Sequence, residues 1–154
     1  MKLNIRRMNS SDIDRVYSIE TDVHIAPWSK EILRDCVLVG YDCRVLEINS
    51  DGKMVIGGYI ISRISENICH ILNFCIAKPL QSKGLGRKLL QSGHNGLSQS
   101  ADVQQVVLEV RPSNYAALHL YQSFGFEQIE IKKDYYQDQN SSEDAILLKK
   151  IITA

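Results

Sequence analysis

The sequence predicts a single domain of mixed α/β layer architecture spanning residues 1–154, and three observations carry that expectation. Strand-like apolar segments are interleaved with segments of helical spacing, in the order β-α-α-β-β-β-α-β-α-β-β. An Asp-Gly pair at 51–52 separates two of the strands, the signal for a tight hairpin. A glycine-bearing turn, Gln81-Ser82-Lys83-Gly84-Leu85-Gly86-Arg87, follows an apolar run at 71–77 and opens a helical pattern.

Leu3 and Ile5 alternate as a first strand. Ser10-Ser11-Asp12 is placed to cap a helix to about residue 21, with Ile13, Val16, Tyr17 and Ile19 or Glu20 at helical spacing. Pro27-Trp28-Ser29 interrupts the chain, and Ser29 caps a short helix ending near Asp35. Residues 44–49 read as a strand that turns through Ser50-Asp51-Gly52-Lys53 into a second at 54–64, with a bulge expected at Gly57-Gly58. Glu66-Asn67 turns the chain again into a strand at 68–77. The helix at 85–98 is weakened by Gly93 and Gly96. A strand at 105–111, a helix at 114–123 stopped by Gly125, a strand at 126–133, a polar turn at 138–142 and a strand at 144–151 complete the order.

Eighteen basic and eighteen acidic residues cancel, which argues against a surface built for direct nucleic-acid binding. The first residues have no apolar signal core, and no run approaches a membrane span, so a cytoplasmic protein is expected. Cys36, Cys43, Cys69 and Cys75 form no CxxC pair, and His24, His70, His94 and His119 are scattered, so neither a disulfide framework nor a metal is expected. Oligomeric state is left open.

The glycine turn is the first chemical signal. Gly84 and Gly86 remove side chains where a helix begins, so free backbone N–H groups and the positive helix end converge on one spot, with Arg87 and Lys88 nearby. That suits a phosphate or pyrophosphate. The spacing matches neither GxxxxGK[ST] nor GxGxxG, since Leu89 stands where the third glycine is needed. The second signal runs from Leu108 to Phe126. Asn114 and Tyr121 are seven residues apart and share a helix face. Asn114 is equally suited to capping that helix, and Tyr121 to filling a core. Glu109 is the one charged residue in Val106-Val107-Leu108-Glu109-Val110. A desolvated carboxyl there has a raised pKa, as a general base needs; a pairing with Arg111 on the same strand face is the plainer alternative.

These segments resemble the Gcn5-related N-acetyltransferases (GNAT): [Q/R]-x-x-G-x-G/A in the turn, and V-x-x-x-N-x-x-A-x-x-L-Y-x-x-x-G-F across 110–126. The resemblance implies a largely antiparallel central sheet with helices on both faces, and acetyl-CoA as co-substrate without a metal. It implies that the backbone at Phe74, Cys75 and Ile76 aligns the acetyl group, that Ser82, Lys83, Gly84, Leu85, Gly86 and Arg87 hold the pyrophosphate, and that Asn114 contacts the cofactor. It makes Glu109 the base, directly or through water, and Tyr121 the acid that protonates the departing thiolate. Ala26-Pro27-Trp28-Ser29, Leu72-Asn73-Phe74 and Asp134-Tyr135-Tyr136 are similar to the bacterial ribosomal-protein-alanine N-acetyltransferases. That likeness implies a protein N-terminus as acceptor, with Trp28, Tyr135 and Tyr136 bordering the peptide. Lys78-Pro79-Leu80 departs from that group's preference for an acidic residue and an aromatic. Asp134, Asp138, Glu143 and Asp144 are candidates to meet a basic substrate tail. An acetyltransferase for small amines, antibiotics or lysine, and a silent acyl-CoA-binding module, are the alternatives.

Overall fold

The computed structural model describes residues 2–98, 102–137 and 142–152, with the backbone alone at 95–98. The first strand β1 (Leu3–Arg7) leads through a short 3-10 turn (Ser10–Asp12) into α1 (Ile13–Val23) and α2 (Lys30–Leu38). A meander of β2 (Asp42–Ser50), β3 (Lys53–Ser65) and β4 (Ile68–Ile76) follows. Then come α3 (Leu85–Ser98), β5 (Gln105–Val110), α4 (Tyr115–Ser123), β6 (Glu127–Gln137) and β7 (Ser142–Ile151). The predicted order holds. Residues 138–141 of the expected polar turn, Asp138 among them, lie outside the described residues.

The strands form one sheet in the order β1-β2-β3-β4-β5-β7-β6. Every neighbouring pair is antiparallel except β4 and β5, which run parallel and are joined across the sheet by α3. Helices cover both faces. Ile13, Val16 and Ile19 of α1 and Leu33 and Cys36 of α2 pack with Val45, Tyr59, Ile61 and Cys75 on one side. On the other, Leu85, Leu89 and Leu90 of α3 and Tyr121 of α4 pack with Ile60, Ile71, Leu108 and Leu148. All four cysteines are buried free thiols.

Local chemistry explains most boundaries. Asp51 (φ 52°) and Gly52 (φ 81°) both take the left-handed conformation that a two-residue hairpin matched to strand twist requires. Leu46 pairs with Gly58 and Glu47 with Ile56, which makes Gly57 the bulged residue. Ser29 caps α2 by accepting from the Ile32 N–H at 3.2 Å, and the helix runs three residues beyond Asp35 to Leu38. The cap of the first helical segment is corrected. Asn9 starts the 3-10 turn, its side chain accepting from the Ser11 N–H while Asp12 accepts from the Asn9 N–H in a reciprocal capping box.

Candidate active site

The site begins where the sheet opens. β4 and β5 pair only from Ile68–Gln105 to Ile71–Leu108. Beyond that point β4 stays with β3 up to Ile76, while Glu109 and Val110 stay with β7. Leu72 is an extra residue on β4, since Ile61 pairs with Asn73 and Ser62 with Ile71. The bulge bends β4 at the point of separation. The backbone edge at Phe74, Cys75 and Ile76 therefore faces the gap without a strand partner. The Cys75 side chain is buried, and that burial pushes its thiol up to about 12, so this residue meets the gap through its backbone. The carbonyl of Ile76 accepts from Gln81 Nε2 at 2.9 Å, tying the strand end to the glycine turn.

In that turn Ser82 (φ 64°) and Gly84 (φ 79°) both adopt left-handed backbone conformations. The Lys88 N–H donates to the Gly84 carbonyl at 3.3 Å as the turn passes into the helix. Among the described residues, no acceptor outside α3 takes the N–H groups of Leu85, Gly86 or Arg87, so the helix start presents free donors. A Cβ on Gly86 would lie 3.4 Å from Leu120 and 3.5 Å from Phe74, so glycine lets this helix start nest against α4 and β4. The donors, the bare glycines and the dipole fit a pyrophosphate. Lys83 is exposed beside them. The Arg87 guanidinium donates to Ser123 Oγ and lies 5.6 Å from the Phe124 ring centroid, held at the end of α4. Asn114 caps α4, accepting from the Ala117 N–H at 3.2 Å.

Two titratable groups flank the separation. Tyr121 sits in the last turn of α4, 5 % exposed, with its ring 6.0 Å from Phe74 and 5.7 Å from Phe126. Burial, with Tyr136 and Cys75 nearby, raises its phenol, which stays protonated at neutral pH. Glu109 stands one residue past the last β4–β5 pair. Its Oε2 lies 2.6 Å from His70 Nε2, and its Oε1 accepts from Lys132 Nζ at 3.0 Å. The expectation of a raised Glu109 pKa is corrected. Burial does push the carboxyl up, but the bonds from His70 and Lys132 outweigh it and hold the group at about 2. The plainer alternative is corrected too, because Arg111 Nη1 reaches Glu143 at 3.2 Å.

Tyr135 and Tyr136 arrive through a distortion of β6, where Lys132 pairs with Ala145 but Tyr136 with Glu143, and Asp134 takes φ 49°. Their rings meet edge to face at 5.0 Å. Arg111 lies 4.3 Å from the Tyr136 ring centroid and Lys132 5.3 Å from that of Tyr135. Burial, Tyr135 and Glu109 raise the Tyr136 phenol. Three of the four acidic residues expected to meet a basic tail are described, and each accepts hydrogen bonds within the fold. Glu143 accepts from Arg111 and from Ser113, Asp144 from Lys133 and the Asp134 N–H, and Asp134 from Ser142. Trp28 is half-buried against the core on the α1–α2 side, and its N–H donates to Glu20 Oε2 at 3.0 Å.

Sequence reasoning missed His70, Lys132 and the full burial of Glu20. A histidine inside Ile68-Cys69-His70-Ile71 and a glutamate on the apolar face of α1 were the available signals. Among the described residues no group of three or more His, Cys, Asp or Glu side chains is arranged for a metal ion, and no helix is long and apolar enough to cross a membrane.

The parallel pair separates beside a glycine-turn helix start, with Glu109 just past the last pairing and Tyr121 against Phe74 of the freed strand. The chain belongs to the acetyltransferase (GNAT) family, whose family model matches residues 13–126. It is 33% identical over 147 residues to a putative [ribosomal protein bS18]-alanine N-acetyltransferase of Bacillus subtilis, covering 96% of this chain and 94% of that one. It is 31% identical over 144 residues to the [ribosomal protein bS18]-alanine N-acetyltransferase of Escherichia coli, covering 94% of each. The crystal structure of an Escherichia coli ribosomal-protein-S18-alanine N-acetyltransferase superposes with a TM-score of 0.88 at 30% identity, over 99% of this chain and 96% of that one. Arabidopsis thaliana NAA60, solved with acetyl-CoA, shares the fold with a TM-score of 0.90 at 18% identity, over 99% of this chain and 100% of that one.

Proposed function

We propose that this acyltransferase moves the acetyl group of acetyl-CoA to the N-terminal α-amine of a protein, with the N-terminal alanine of ribosomal protein bS18 as acceptor. The observation that supports this most is the separation of β4 from β5 just before Glu109, with Tyr121 packed on Phe74 of the freed strand and a helix start with free N–H donors at its end. The relatives' activity on the alanine of bS18 supplies the acceptor. Such an acceptor implies a reaction in the cytoplasm.

The thioester supplies a carbonyl already open to attack, so positioning carries much of the rate. In this reading the backbone at Phe74, Cys75 and Ile76 aligns the acyl end, and Ser82, Lys83, Gly84, Leu85 and Gly86 receive the pyrophosphate. Arg87 and Asn114 border the cofactor from α3 and α4. Trp28, Tyr135 and Tyr136 border the incoming peptide. An α-amine has a reference pKa of about 7.7–8.0 and arrives largely protonated. The anionic centre at Glu109 draws the proton away, and Tyr121, kept protonated by burial, gives one to the leaving sulfur.

The test is acetyl transfer to a basic peptide with a free N-terminal alanine, beside a peptide with a blocked N-terminus bearing only lysine. Turnover of the first alone, lost in Glu109→Gln with acetyl-CoA affinity kept, is the expected result. Preference for the lysine peptide moves the acceptor to a side-chain amine. Tight acetyl-CoA binding with no turnover of either leaves a binding module.

A further inference from the structure

We propose that the atom taking the proton from the incoming α-amine is Nδ1 of His70, and that Glu109 is the carboxylate that orients and charge-balances this imidazole. The inference rests on the reading above and adds a catalytic residue to it.

Geometry carries the assignment. The imidazole and the carboxylate meet at 2.6 Å through Nε2 and Oε2, while Lys132 occupies the other carboxylate oxygen at 3.0 Å. The Glu109 side chain is 9% exposed and that of His70 25%, so the imidazole is the member of the pair that reaches solvent. An ionised carboxylate has no proton to give. The short contact therefore places a proton on Nε2, and in the neutral imidazole this leaves Nδ1 with a free lone pair. Among the described residues no group hydrogen-bonds Nδ1. His70 sits in the last parallel stretch before the strands part, opposite Arg63 on β3 and Val107 on β5.

The chemistry agrees. A carboxylate whose two oxygens are already engaged by His70 and Lys132 is a poor acceptor for the ammonium proton, whereas imidazole is the side chain most often used as a general base. The ammonium N–H bond breaks and its proton passes to Nδ1, freeing the lone pair that forms the amide C–N bond. The thioester C–S bond breaks, and the sulfur leaves with that electron pair and takes the Tyr121 proton. The second surplus proton on nitrogen restores Tyr121, and His70 releases its own to solvent.

Three measurements test this. Nitrogen-15 spectra of the wild-type imidazole at neutral pH are expected to show the Nε2–H tautomer for His70, with that preference lost in Glu109→Gln. His70→Gln is expected to lower kcat by about 10²-fold or more without weakening acetyl-CoA binding. Added imidazole is expected to restore turnover to His70→Ala, more strongly for more basic imidazoles. A proton on Nδ1, or full activity in His70→Gln, overturns the role of His70 and leaves the function standing. A wild-type enzyme inactive on the alanine peptide overturns the functional reading itself, and the role of His70 falls with it.

Discussion

Glu20 Oε1 accepts from Asn73 Nδ2 at 2.7 Å, so a carboxylate in α1 is bonded directly to the strand that opens the sheet. The same carboxylate accepts from the Tyr59 hydroxyl at 2.6 Å and from the Trp28 N–H at 3.0 Å, and it is 1% exposed. One buried side chain thus fixes the α1–α2 loop to the β4 bulge.

Glu20→Ala strands two buried donors and the half-buried backbone N–H of Trp28 at once. Each unsatisfied group costs about 1–3 kcal/mol, so a loss of roughly 3 kcal/mol or more is expected by urea unfolding. Glu20→Gln keeps the volume and can restore only part of it. Where the variant still folds, the peptide KM rises more than the acetyl-CoA KM, because the freed segment carries Trp28.

Gly58 backs the stretch of β4 that we propose aligns the acyl end. A Cβ there would lie 2.8 Å from the Cys75 carbonyl oxygen and 2.6 Å from Ile76 Cδ1. Gly58→Ala must push the Cys75–Ile76 backbone away. Weaker acetyl-CoA binding by calorimetry is expected, together with destabilisation of about 1–3 kcal/mol, the range for overpacking.

Tyr121→Phe keeps the aromatic contacts with Phe74 and Phe126 and removes only the hydroxyl. A fall in kcat of about 10²-fold with stability preserved is the expected outcome in steady-state assays. An unchanged kcat would return Tyr121 to a packing role.

Acid should weaken the fold through two carboxylates. Arg6 binds Asp12 at 2.8 and 2.9 Å, and these bonds, with the Asn9 N–H, hold Asp12 below its ordinary range despite burial. Glu109 is held at about 2 against an ordinary 4.5. Both folded-state values lie below the unfolded ones, so this stabilisation is present above the unfolded range and disappears as pH falls through the folded values. Urea midpoints measured between neutral pH and about pH 3 should fall, and the fall should be smaller in Asp12→Asn.

Features that depend on one or two neighbouring letters were legible in the sequence. Asp51-Gly52 needs only its own backbone freedom to make a hairpin, Gly57 marks its own bulge, and Ser29 caps a helix three residues away. Asn9 escaped notice because its box is completed by Asp12, which reads equally well as a cap itself. The electrostatics of Glu109 were not legible, because His70 is 39 residues before it and Lys132 is 23 after it. From the strand alone only burial was visible, and burial alone has the opposite sign. The partners of Asp144 were not legible either, because the irregular pairing between Lys132 and Tyr136 on β6 is what brings Lys133 and Asp134 to it.

The four-residue parallel contact between β4 and β5 also has a mechanical meaning. Four strands lie on one side of that seam and three on the other, each group zipped by longer antiparallel ladders. Local opening should therefore begin along this line rather than within either group, and amide protons there should exchange first among those of the central strands. The proposed site lies at the end of this seam, so a ligand wedged between the two groups of strands would act as the missing rungs of the ladder.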